Sequence, residues 1–196
     1  ILIRGGAPSE NRFFIDGIEI PTINHFATQG SSGGPVGIIN VDFVSEVDFY
    51  SGAFPATRGN SLSSVFDFKF KEGNPDRLTF NGIVGATDIG ATLDGPIGKK
   101  TNFIFSARRS YLQFLFAALQ LPILPTYNDF QFKVKHKIND KNSITFLGIG
   151  AIDNFKLNTD IGTEAKTAED SLTVEANQLL LENLPINNQW NYTIGA

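Results

Sequence analysis

From about residue 78 onward the chain alternates apolar and polar side chains in runs of roughly ten residues, the two-residue period of a strand with one apolar and one polar face. Over residues 129–138, Phe130, Phe132, Val134 and Ile138 oppose Asp129, Gln131, Lys133, Lys135 and Lys137. Over 102–111, Phe103, Phe105, Ala107 and Tyr111 oppose Asn102, Ser106, Arg108 and Ser110. Two runs precede these. In 78–87, Leu78, Phe80, Val84 and Ala86 share a face, and in 89–94, Ile89, Ala91 and Leu93 oppose Gly90, Thr92 and Asp94. Gly98-Lys99-Lys100 and Asn139-Asp140-Lys141-Asn142 read as turns, the second leading into a strand over 143–152. Trp190, Tyr192 and Ile194 open a sixth strand.

The first 75 residues follow another pattern. Arg12 to Ile15 and Ile18 to Ile20 are short strands around an Asp16-Gly17 turn, and Pro21 ends the second. Residues 27–37 form a loop rich in Gly and Ser, and Val36 to Asp42 suits one or two helical turns. Val44 to Tyr50 and Ser64 to Lys71 alternate again. The pattern predicts an α+β domain over residues 1–75 and six antiparallel strands over 76–196.

Strands of this kind suit a transmembrane β-barrel and equally a soluble β-sandwich. Connection lengths favour the barrel. The links at 98–101 and 139–142 are short, whereas 112–127 and 154–188 are long, as with periplasmic turns and outer loops. Tyr111, Trp190 and Tyr192 near strand ends suit an interfacial aromatic girdle. No run of about 18 apolar residues offers a transmembrane helix, and the stretch from Tyr111 to Pro125 is short and carries Pro122 and Pro125. Six strands are too few to close, since single-chain barrels need about eight or more. The chain is therefore expected to continue past Ala196, and its start at Ile1 without Met or a signal-peptide pattern gives the same expectation at the other end.

Composition narrows the function classes. A net charge of −4 with no basic stripe argues against nucleic acid, and the basic clusters at 106–109 and 133–137 fall within alternating strands. The lack of Cys excludes disulfides, thiol nucleophiles and cysteine metal sites. Gly5-Gly6 and Gly33-Gly34 lack the spacing of phosphate or dinucleotide loops. No order of Ser, His and carboxylate suggests a triad, and no paired acid and base stands out. No catalytic residue, resident cofactor or metal site is expected, since a metal would need more partners than one His.

Several segments resemble TonB-dependent outer-membrane receptors, most closely the Bacteroidetes branch. Ile3-Arg4-Gly5-Gly6 followed by Phe14-Ile15-Asp16-Gly17-Ile18 resembles the start of that family's plug domain. The segment from Val44 to Gly52 is similar to a family strand of the form v-x-x-v-E-v-x-x-G, with Asp48 in the acidic place and Glu46 before it. Phe54 to Gly59 resembles the loop that follows, Ser63 to Asp67 the strand leaving the plug, and Ala107 to Tyr111 a barrel motif. The resemblance runs from Ile1 to about Ile152. It implies a plug over 1–75 and the first six strands of a barrel of about 22 strands. It also implies import across the outer membrane of a siderophore-iron, cobalamin, glycan or peptide ligand, driven by TonB pulling on a box that precedes Ile1. Outer-membrane lipid and a surface lipoprotein are the other partners it implies.

On this reading Phe103, Phe105, Phe130, Phe132 and Val134 face lipid, and Lys133 and Lys135 face the lumen. Outer-ligand contacts are expected from Asn24, His25, Phe26 and Gln29, whose flanking loop holds four glycines, and from Arg58 and Asn60 in a second apical turn. A plain hydrogen-bonded loop role for His25 stays open, and His136 reads as an interfacial side chain. Arg4 is expected to be buried and paired with Glu46 or Asp48, and Arg108 to pair with a plug carboxylate. A soluble or surface β-rich binding or adhesion module is the alternative. A secreted glycoside- or peptide-cleaving enzyme is a third class, without the acid–base pair it would need.

Overall fold

The computed structural model describes residues 2–27, 34, 36–159, 179, 182 and 188–196. Among them ten strands form two sheets. In the first, β1 (Asn11–Ile15), β2 (Ile18–Ile20), β3 (Val44–Tyr50) and β4 (Ser64–Phe70) lie in the order β2-β1-β4-β3. Its β1–β4 pair is parallel and the others antiparallel. The Asp16-Gly17 turn takes positive φ at both residues, 48° and 87°, which the twist of a tight two-residue hairpin demands and which Asp-Gly supplies at little cost.

The second sheet is a six-stranded antiparallel meander of β5 (Thr79–Val84), β6 (Asp88–Ile97), β7 (Thr101–Ser110), β8 (Ile123–Lys137), β9 (Ser143–Leu157) and β10 (Asn188–Gly195). It is open, with β5 and β10 as its edges. The change from one sheet to the other falls between Phe70 and Thr79. No described helix is long and apolar enough to cross a membrane.

Three expectations need correction. The first 75 residues carry no α-helix among those described. Their helical content is two single 3-10 turns, Pro8–Glu10 and Val41–Phe43, the second capped by the Asn40 side chain, which accepts from the Asp42 amide. The one long described α-helix, α1 (Leu112–Ala118), lies in the link between β7 and β8 that reads as loop in sequence. Its apolar run is too short for the strand period to compete. Finally, β8 begins six residues before the predicted start and includes Pro125. Pairing with β7 stops at the Arg109–Asn128 register, so Pro125 sits where β8 has only β9 beside it and needs no second ladder donor.

The six-stranded sheet has inverted polarity. Its inner face, against the small sheet, carries Thr92, Ser106, Asp129, Gln131, Lys133 and Asp153, all buried. Its outer face carries Phe105, Phe130, Phe146, Ile152, Trp190 and Ile194, all exposed: Phe105 at 42% and Trp190 at 71%, against 0% for Gln131. The parity predicted for Phe130, Phe132, Lys133 and their neighbours thus holds. Phe130 and Phe132 lie over Gly150 and Gly148 of β9, where an added Cβ would meet their rings at 2.4 Å. Those glycines let two large rings lie flat on an outer face that lacks depth. Trp190 and Tyr192 stack on the same face at 5.4 Å.

One apolar cluster joins the sheets. Phe13, Ile15, Ile20, Ile38, Phe43 and Phe70 of the small domain pack with Ile104, Leu147, Ile149 and Ala151 of the large sheet.

Candidate functional site

Beside that cluster runs a line of polar contacts, made by alternate residues of β7, β8 and β9 and read mostly by backbone of the small domain. Lys133 Nζ donates to the Phe70 carbonyl at 2.7 Å and pairs with Asp16 at 2.9 Å. Gln131 donates to the Ile38 carbonyl at 2.8 Å and accepts from the Asn40 amide at 3.2 Å. The Asn40 side chain donates to Ser106 at 2.8 Å. Arg108 pairs with Asp129 at 2.9 Å and donates to the carbonyls of Gly37 and Ile38 at 2.7 and 2.9 Å. A strand with period two can present such a row only from one face.

The line ends at His25, which has no exposed surface. Its Nδ1 lies 2.6 Å from Asp153 Oδ1 and its Nε2 lies 3.1 Å from Asp129 Oδ2. The ring stacks on Tyr127 at 4.1 Å, and the Tyr127 hydroxyl donates to Asp88 at 2.6 Å. The Phe26 amide donates to the second oxygen of Asp153 at 2.7 Å, as does the Gln189 side chain at 3.1 Å. Carboxylates only accept, and a neutral imidazole has only one N–H. Two ring nitrogens facing two carboxylates therefore call for the imidazolium. Burial by itself pushes the His25 pKa down; hydrogen bonds and charge from Asp129 and Asp153 outweigh it, and the net shift is upward. With Arg108 and His25 against Asp129 and Asp153, the buried charges balance.

These contacts bracket one segment. His25 N–H donates to the Val36 carbonyl at 2.8 Å, Ile38 N–H to the Ile23 carbonyl at 2.8 Å, and Asn24 bridges Gly37. Residues 22–27 and 36–40 are thus the two stems of the Gly/Ser-rich loop, and both are fastened to the large sheet.

The expected ligand residues are placed differently from the sequence reading. His25 is buried in the interface, and both its nitrogens are occupied. The Phe26 ring packs against Phe155 at 4.6 Å, and Asn24 belongs to the loop stem. Gln29 lies outside the described residues. Arg58 folds back onto Asp67, at 2.5 Å, and over the Phe14 ring at 4.7 Å, so it braces the small domain. Asn60 is exposed, and its carbonyl accepts from Arg12 at 3.1 Å.

The anchoring reading is corrected at Arg4. Arg4 is exposed, with a φ of 51°, and no ion pair among the described residues includes Arg4, Glu46 or Asp48. Glu46 stands on an outer face of β3 opposite Lys69, where water solvates it. Arg108 does anchor the interface, but its carboxylate is Asp129 on the neighbouring strand, and the small domain answers with carbonyls. Among the described residues no group of His, Cys, Asp or Glu is arranged to hold a metal.

Sequence reasoning missed Asp129, Asp153, Tyr127 and Asn40 as site residues. The signal for Asp129 was the polar parity it shares with Arg108; nothing local marked Asp153 or Asn40. No family model matches the chain, and no curated protein or solved structure matches it significantly.

Proposed function

We propose that the chain is the plug domain and first barrel strands of a TonB-dependent outer-membrane importer, with residues up to about 75 as plug. The observation that carries the reading is the inverted polarity of the six-stranded sheet. A sheet that hides Gln131, Asp129 and Lys133 and exposes Phe105, Phe130 and Trp190 is stable where the outside is hydrocarbon and the inside holds a polar-docked domain. In water the same face would be a large apolar patch that promotes association.

In this reading the small domain blocks the lumen, and the His25–Arg108 line fastens the stems of its Gly/Ser-rich loop to the wall. Ligand arriving from outside meets that loop and the outer barrel loops. Force from TonB then pulls the plug until these contacts yield, and the ligand passes. Beside the apolar cluster, the wall contacts are hydrogen bonds to small-domain backbone and an ion pair to Asp16, which can be exchanged for water as the plug moves.

The test uses the full-length gene product in a Gram-negative host. Outer-membrane fractionation and heat-modifiable migration in detergent are expected, together with ligand uptake that stops when TonB is removed. A product found in the soluble fraction with migration insensitive to heating would overturn the reading in favour of a β-rich binding or adhesion module.

A further inference from the structure

At the short-turn end of the large sheet, on its polar face, lies a cavity of about 400 Å³ that the import reading does not use. Its walls come from the β6–β7 turn, the β8–β9 turn and the link leaving β4. Five lysines line it, Lys99, Lys100, Lys135, Lys137 and Lys141, against two carboxylates, Glu72 and Asp140. Lys135 is taken by Glu72 and Lys137 by Asp140, and Lys100 Nζ reaches the Ile138 carbonyl at 3.4 Å. The ammonium groups of Lys99 and Lys141 have no protein partner among the described residues. In the same wall the Asn102 side-chain oxygen is buried without a partner.

We propose that this cavity binds a phosphate group, as a monoester, diester or pyrophosphate. The volume is in the range of small-ligand sites. After the two ion pairs are counted, three positive charges remain around one concavity, where they raise the local potential for an anion. No Arg lines the cavity to offer a planar fork; its lysine ammonium groups act as point charges, the manner in which Lys binds phosphate. The hydroxyl of Ser143 adds a neutral donor at the rim.

Phosphate could come from a soluble solute or from a lipid headgroup. The experiment is titration of the full-length protein with inorganic pyrophosphate, in detergent and in nanodiscs made either of phosphatidylcholine alone or with phosphatidylglycerol. Saturable binding that high salt abolishes is expected, equal in detergent and in phosphatidylcholine discs. Competition by phosphatidylglycerol would identify a headgroup as the source, and its absence a soluble phosphate. The double variant Lys99→Gln, Lys141→Gln is expected to weaken pyrophosphate binding by roughly tenfold or more, the worth of lost charge-assisted hydrogen bonds. Lys156→Gln, on the exposed far end of β9, should leave it unchanged. No saturable binding, or equal weakening by both variants, would overturn the site. Because insertion is read separately by heat-modifiable migration, a failed phosphate site leaves the import reading standing, and the reverse also holds.

Discussion

His25 illustrates how a side chain's role depends on partners that its neighbourhood in sequence does not reveal. A histidine beside a glycine-rich loop has the chemistry of a ligand contact, but Asp129 and Asp153 stand 104 and 128 residues away and claim both nitrogens. Its raised pKa has a signed consequence. The contact contributes its full stability below the ordinary histidine value of about 6.5 and loses it as pH climbs through the higher folded value. Proteolysis at the 22–27 and 36–40 stems in the full-length protein should accelerate as pH rises above about 6.5. His25→Gln should flatten that profile, and a profile as steep as the parent's in that variant would remove His25 as its source. His25→Ala leaves two buried carboxylates facing a void, and a cost of about 3–5 kcal/mol in unfolding free energy is expected. Arg58 makes the same point in the small domain. Its Asp67 partner is buried but keeps Lys69 at 3.1 Å, so Arg58→Ala should lower the thermal midpoint by an amount matching roughly 1–3 kcal/mol while ligand affinity stays as it was. Lost affinity at an unchanged midpoint would return Arg58 to the ligand site.

At the scale of elements, parity was legible and extent was not. The alternation of Phe130 and Phe132 with Gln131 and Lys133 has one strand solution, and the structure adopts it. Where β8 begins depends on which neighbour is beside it, and that is set by where β7 ends, so Pro125 misleads any purely local reading. The helix Leu112–Ala118 was hidden for a related reason: seven residues without a polar face give no helical period to detect. The two faces of β8 predict opposite kinds of failure. Phe132→Lys places a charge on the exposed apolar face, which costs about 2–4 kcal/mol near a bilayer midplane and nothing comparable in water. A reduced fraction of folded, heat-modifiable protein is expected, at unchanged expression. Gln131→Ala instead removes partners of the Ile38 carbonyl and the Asn40 amide, so the six-stranded sheet should still form while the 36–40 segment gains protease sensitivity. Equal folded yields for Phe132→Lys and the parent would argue that this face meets water.

On the scale of the whole molecule, two sheets share one core. The small domain contributes Phe13, Ile15, Ile20, Ile38, Phe43 and Phe70, but the surface that covers them is Ile104, Leu147, Ile149 and Ala151 of the large sheet. The sequence showed two grammars of patterning and so two units; it could not show that one unit's core is finished by the other, because that depends on packing between segments far apart in the chain. A chain of some 70 residues buries a smaller share of its unfolded surface than a larger domain does, and is marginal even with a complete core. Without the sheet it would expose Ile38 and Phe43 and strand the polar groups that Gln131, Lys133 and Arg108 satisfy. Residues 2–75 produced alone are therefore expected to show narrow amide-proton dispersion, weak near-ultraviolet circular dichroism and rapid proteolysis. Adding the separately produced remainder of the full-length protein should restore protection at His25, Ile38 and Asn40 before it restores β3, whose outer face is solvated in either case. A well-dispersed, protease-resistant spectrum for residues 2–75 alone would mean that the small domain is self-sufficient, and that its contacts with the sheet serve docking without completing its fold.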